Sequence, residues 1–349
     1  MSTKPMKPIV FAFAIVWTLT FSANAQDDDV TNRLSNRISV SARFGFNLSA
    51  RFSSLKAPVL QSQRTTPSGG KYNYDDGYLL RDASGNAGGK TWYLGYDDSS
   101  AQVSGNNILL NRNTASVSGS TVDDNPSFGG EVVYTRMLGH LDRFTYGFEV
   151  AGNFLNMSLN ESSTQPTRLD HTTDAYPFTS GTTPPSATPS APYQGRFEGP
   201  GFVVGDKPVT SNTPVPGGAT STASRRFDAD VWGFRLGPYL EFPVSEKFTL
   251  SLSGGLAGAL IDADVSWSEQ IASPSMSLVT LRGAGKDTGF LWGYYLAANV
   301  AWELSPRWSI VGSAQFQSLE NYSHNFGGRT VEAKLDQALF VTIGLGYKF

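Results

Sequence analysis

The chain has 349 residues, no cysteine, a net charge of -3, 16% charged residues and 12% aromatic ones. Without cysteine there are no disulfides, thiol nucleophiles or thiolate metal sites, and the negative balance offers no basic patch for nucleic acid. Charged residues fall below the roughly 25% of an ordinary soluble domain. With a mean hydropathy of -0.23, membrane residence would have to be as alternating strands, which dilute hydrophobicity.

The amino terminus reads as an export signal over residues 1–25. Lys4 and Lys7 precede the apolar run Ile9 to Phe21, and Ala23-Asn24-Ala25 is a small-x-small cleavage box before Gln26. Residues 26–36 are then a short periplasmic segment, and removal of the two signal lysines leaves a charge of -5. No later stretch approaches the roughly 20 apolar residues of a membrane helix.

From residue 37 onward, period-two alternation predicts eight strands. The first covers 37–52, with Ile38, Val40, Ala42, Phe44, Phe46, Leu48, Ala50 and Phe52 on one face and Arg37, Ser39, Ser41, Arg43, Gly45, Asn47, Ser49 and Arg51 on the other. The others are expected at about 128–137, 143–159, 231–242, 248–265, 289–303, 308–317 and 333–349. Short turns at 138–142, 243–247 and 304–307 alternate with long connections at 53–127, 160–230, 266–288 and 318–332. The expectation is an all-β fold: an eight-stranded antiparallel transmembrane β-barrel, an up-and-down meander over 37–349 with long extracellular loops. Outward aromatics sort into two girdles. Phe144, Phe242, Phe248, Trp302, Trp308 and Phe349 fall near the turns, and Phe52, Phe128, Phe154, Trp232, Phe290 and Phe316 near the loops.

The inward faces carry Arg43, Glu131, Glu149 and Arg235 at similar depth. In an interior only wide enough for side chains two cations and two anions must pair, so they are expected to plug the lumen; Arg37, Glu303 and Lys348 extend the set below. The first long loop holds Tyr74, Tyr78, Trp92, Tyr93 and Tyr96 beside paired aspartates. These aromatics are candidates for recognising a glycan or protein, with packing as a self-made cap, including a hairpin near Ile108 to Leu110, as the competing expectation. The second loop carries about half of the 19 prolines, and its first half is expected to be extended and mobile. Of the three histidines, His140 falls in a turn, His171 in the second loop and His324 in the last loop near Glu320 and Ser323. None has a visible supporting partner, so no catalytic residue, metal or cofactor is expected.

The last eleven residues, Leu339 to Phe349, alternate without a break: Leu339, Val341, Ile343, Leu345, Tyr347 and Phe349 share a face. This segment resembles the closing strand of bacterial outer-membrane barrels, and the whole pattern is similar to the OmpA-transmembrane and OmpX type. The resemblance implies that Tyr347 and Phe349 are the signal read by the barrel-assembly machinery. It also implies a Gram-negative outer-membrane location in contact with lipid and lipopolysaccharide, and a monomer. The chain departs from the OmpA pattern in ending at the barrel and in its longer first two loops. The expected role is a surface-exposed structural or interaction protein, acting in adhesion or recognition through those loops. The alternatives are a small porin-like channel and an outer-membrane lipid-modifying enzyme.

Overall fold

The structure, a computed structural model, describes residues 36–56, 64–84, 87–123, 126–141, 143–273 and 276–349. The expected signal peptide, its cleavage box and residues 26–35 lie outside the described residues. What is described is nearly all strand, the one helix being the single turn Ser99–Gln102, and no described helix is long and apolar enough to cross a membrane.

Eight strands pair in succession: β1 (Asn36–Phe46), β2 (Ser127–Leu141), β3 (Phe144–Pro177), β4 (Val209–Pro243), β5 (Phe248–Ser273), β6 (Met276–Glu303), β7 (Trp308–Leu319) and β8 (Ala338–Lys348). Every neighbouring pair is antiparallel. β8 pairs with β1, Phe46 facing Leu339 and Arg37 facing Lys348, so the pairings return to the strand from which they start. The sheet therefore has an inner and an outer face, and side chains alternate between them.

Low on these strands the outer face is apolar and the inner face polar. Outward Leu252, Leu256, Trp292, Tyr294, Leu296, Val300, Ile343 and Leu345 are exposed, while inward Ser39, Ser41, Thr135, Ser251, Ser309 and Thr342 are buried. Higher up the polarity reverses. Phe154, Trp232, Leu260 and Phe290 form one outward row in register across β3 to β6. Immediately above it Asn156, Asp230, Asp262 and Thr288 form the next outward row, while Met157, Ala229, Ile261, Ala263 and Val265 turn inward and are buried. The sequence writes this reversal as apolar doublets, Phe154-Leu155, Val231-Trp232, Leu260-Ile261 and Phe290-Leu291. One member of each doublet faces out and the other in.

β1 makes the same reversal with its backbone. Its expected continuous run to residue 52 is broken at Asn47, whose φ of 60° lies in the left-handed region that Asn tolerates better than most residues. The Asn47 side chain donates to the Gln337 carbonyl at 2.8 Å. Beyond this kink the separate strand Ser49–Phe52 has the opposite parity. Leu48, Ala50 and Phe52, expected outward, are completely buried in the interior, so Phe52 does not belong to the outer girdle.

Other boundaries also move. β2 continues to Leu141 through a bulge between Met137 and Gly139. β3 and β4 extend far into the long connection expected at 160–230 with a mobile first half, pairing from Thr145 with Glu241 up to Ala175 with Val209, with one bulge between Thr167 and Leu169. β5 and β6 likewise fill most of 266–288. The closing strand starts at Ala338 rather than 333, because Arg329–Lys334 is a separate strand. That strand is paired with Tyr322–Phe326 on one side and Ser49–Phe52 on the other.

The first loop folds into a cap. The strand Asn107–Val117 adds to the outer end of β3 and hairpins with Val103–Ser104. Short strands Gly77–Leu79, Leu94–Tyr96 and Tyr193–Gln194 form a three-stranded sheet, so residues from both long loops share one small unit.

Candidate functional site

Three regions carry the chemistry of this chain: the inner charge network, an upper buried ion cluster and the cap. Arg43, Glu131, Glu149 and Arg235 converge from β1, β2, β3 and β4. Glu131 lies between the two arginines, ion-paired with Arg43 and accepting from Arg235 Nη2 at 2.8 Å. Arg235 Nη1 is 3.2 Å from Glu149 Oε1, which also accepts from the Tyr295 hydroxyl at 2.9 Å. Arg43 donates to Gln315 and Gln317, each at 3.1 Å, and lies over the Phe340 ring. All four ions are almost wholly buried. Below them Arg37 pairs with Glu241 at 3.0 Å and Lys348 with Glu303. Arg37, Glu131, Glu149, Arg235 and Glu241 border a polar cavity of about 40 Å³ that is also lined by Ser39, Ser41, Thr249, Ser251, Asn299 and Thr342.

Above the network the interior is apolar. Gly45 shows how tight this layer is: an added Cβ would lie 2.9 Å from Leu48, 3.0 Å from Phe340 and 3.4 Å from Leu155. Higher still is a second ion cluster that the linear sequence does not announce, because its members come from four distant segments. Glu269 is bound by Arg225, with Nη2 at 2.7 Å, and by Arg329; Arg225 also reaches Glu161 at 2.9 Å and Ser120 at 2.7 Å. Glu161 loses some charge stability by burial, but its hydrogen bonds from Ser120 and Arg225 outweigh this and hold its carboxyl below the usual range.

The cap corrects the expectation for the loop aromatics. Tyr74, Tyr78, Tyr93 and Tyr96 are buried within it, so their faces are not presented to a ligand. Tyr74 bonds Asp174 and Tyr176, each at 2.7 Å. The Tyr78 hydroxyl donates to the Gly195 carbonyl at 2.8 Å, and burial pushes the Tyr96 hydroxyl up to about 12. Trp92 is half-buried, its Nε1 donating to the Phe197 carbonyl at 3.0 Å. Phe197, not singled out by the sequence, is 68% exposed. The neighbouring aspartates also serve the fold. Asp76 accepts from the backbone and side chain of Asn111 at 2.8 and 2.7 Å, and Asp75 from those of Asn113 at 2.8 and 2.9 Å. Burial raises both carboxyls despite these bonds. Among the described residues no group of three or more metal-ligating side chains gathers.

The histidines are held apart. His171 lies in β3, bonded to Asn113 at 2.8 Å; His140 is exposed at the end of β2. His324 Nδ1 is 3.1 Å from Asp287 Oδ2, which also accepts from the Tyr322 hydroxyl at 2.8 Å. Ser323 is the next residue along the same strand and so projects from its opposite face. Tyr347 and Phe349 are stacked at 6.3 Å beside Trp308 on the outer face near the turns.

No protein-family model matches the chain, and no curated protein matches it. Among solved structures it is similar to the attachment invasion locus protein Ail of Yersinia pestis, at 9% identity over 90% of this chain and 100% of that one, with a TM-score of 0.26. It is also similar to the outer-membrane protease OmpT of Escherichia coli, at 12% over 94% and 100% with a TM-score of 0.27. A third is the outer-membrane protein OprG of Pseudomonas aeruginosa, at 9% over 92% and 99% with a TM-score of 0.30. The resemblance expected from the sequence thus meets outer-membrane proteins. At these identities and scores it carries no further argument, and the fold stands on its own strand pairings.

Proposed function

We propose that this chain is an integral outer-membrane protein whose eight long strands close as an up-and-down transmembrane barrel. In this reading the lumen is plugged, the chain is not an enzyme, and its work is done at the cell surface by the folded cap on the long hairpins. The observation that carries the reading is the outer face. Leu256 at 64%, Leu296 at 60% and Ile343 at 60% exposure belong to a belt that also includes Val40, Val150, Leu236, Leu252, Trp292 and Val341. Soluble monomers rarely expose apolar patches beyond a few hundred Å², whereas lipid covers such a belt and aromatic rows mark its two edges.

Export by the amino-terminal signal, assembly through Tyr347 and Phe349, contact with lipopolysaccharide and a monomeric state belong to the same proposal. The packed interior speaks against the porin alternative. His324 pairs with Asp287 while Ser323 projects from the opposite face, so the serine and histidine of the lipid-modifying alternative do not meet. The role left to the surface is adhesion or recognition of a glycan or protein by the exterior of the cap, where Phe197 and Trp92 sit, rather than by its buried tyrosines.

Two measurements test this. Detergent-extracted protein should show heat-modifiable electrophoretic mobility and partition with outer membranes; a soluble periplasmic product would overturn the barrel. The native protein and a form with shortened first and second loops should differ in binding to envelope glycans and to host or phage surfaces. Equal binding would remove the recognition role.

A further inference from the structure

We propose that the lumen is closed by two stacked barriers of different chemistry, and that the apolar layer above the ion network, not the network itself, is the seal. The inference rests on the barrel reading above. Going up from the four ions, inward positions include Leu48 beyond the kink after β1, Leu155 on β3, Val231 on β4, Ala259 on β5, Leu291 on β6, Leu319 on β7 and Phe340 on β8, all buried and all in one cluster. Leu335, from the connection before β8, belongs to the same cluster and is buried. The one small cavity described in this layer, about 20 Å³, is lined chiefly by Leu155, Val231, Ala259, Leu319, Leu335 and Phe340, with Asn153 and Gln317 as its polar edge. A cavity of this size and lining has room for no more than a water at its polar edge, and an ion entering it would lose its hydration with little in exchange.

Below the ions lies the polar cavity bounded by Arg37 and Glu241 near the turns. The geometry is therefore a wet chamber on the turn side, a fixed ion layer, and a dry plug on the loop side. Breaking ion pairs alone would connect the chamber only to the underside of the plug. Asn47 builds the seal on β1: with uninterrupted alternation Leu48 would face lipid and Asn47 the lumen.

The chain has no cysteine, so an introduced thiol reports access without background. Ser251→Cys places one in the chamber wall. Proteoliposomes are treated with a charged methanethiosulfonate reagent added from either side, and single-channel currents are recorded in parallel. A charge-free variant, Arg43→Met with Glu131→Gln, Glu149→Gln and Arg235→Met, leaves no ion unpaired. It should stay silent in bilayers and label from the turn side alone. A seal variant, in which Leu48→Ser and Leu155→Ser are added to the four charge-free substitutions, should label from the loop side at least tenfold faster than the charge-free protein alone. Stable currents, or loop-side labelling matching the seal variant, from folded charge-free protein would overturn the proposal. If the fourfold variant does not fold, Glu149→Gln with Tyr295→Phe opens one arm of the network and is read by the same two assays. Failure of the barrel reading is distinguishable, because the wild-type protein would then neither insert nor show heat-modifiable mobility.

Discussion

At the residue scale the interior depends on a few side chains whose loss strands others. Glu131 serves two arginines and Glu149 one. Neutralising both, Glu131→Gln with Glu149→Gln, leaves two buried guanidinium groups without a counter-charge and should cost on the order of 3–5 kcal/mol, read as a lower urea midpoint in detergent or bilayer. Asn47→Val puts a β-branched residue at φ of 60° and removes the bond to Gln337. It should cost about 1–2 kcal/mol, whereas Asn47→Gly should lose only the hydrogen bond. Glu161, held below its usual range, adds stability that is present above the unfolded carboxylate value near 4.5 and is lost as pH falls through the depressed one. The melting difference between wild type and Glu161→Gln should therefore shrink on acidification below pH 4.5. Asp75 and Asp76, raised by burial, act in the opposite direction: their contribution is fullest below 3.8 and is lost as pH rises through their raised values. The four network ions were legible in sequence because they interrupt the polar faces of strongly alternating strands. The kink at Asn47 was not, since its local alternation reads the same whether or not the backbone flips.

At the element scale the long hairpins are the main departure. A strand of 34 residues is roughly three times what a tilted crossing needs. The upper halves of β3 and β4 escape a reading tuned to an apolar outer face because that face turns polar there, with Asn156, Ser158 and Asn160 opposite Asp230, Asp228 and Arg226. In water a sheet faces polar groups outward and buries apolar ones, the reverse of its arrangement in lipid. Thr222 pairs with Thr164 on one side and Gln270 on the other. Thr222→Pro removes a ladder bond and should cost about 3 kcal/mol locally. Hydrogen exchange should then quicken in the upper hairpin and the cap, while amides below the row of Phe154 and Trp232 remain protected.

At the scale of the whole molecule the polarity reversal is where the proposed barrel would meet the membrane surface. Above the row Phe154, Trp232, Leu260 and Phe290 the exterior is polar, and below it apolar. A lysine at Leu256, within the belt, should cost about 2–4 kcal/mol, and one at Asp262, just above the row, about 0–1 kcal/mol; equal costs in a bilayer refolding assay would misplace the boundary. The linear order of residues by itself determined the all-β character, two of the three short turns, the apolar outer belt and the identity of the inner ions. All of these follow from a period of two repeated over short windows. Tertiary structure alone decided the inward turn of Leu48, Ala50 and Phe52, the ion cluster of Arg225, Glu269 and Arg329, and the burial of the loop tyrosines. The reason is physical: a backbone flip and a long-range ion pair change which face a side chain occupies, or what it meets, without altering the pattern of neighbours along the chain.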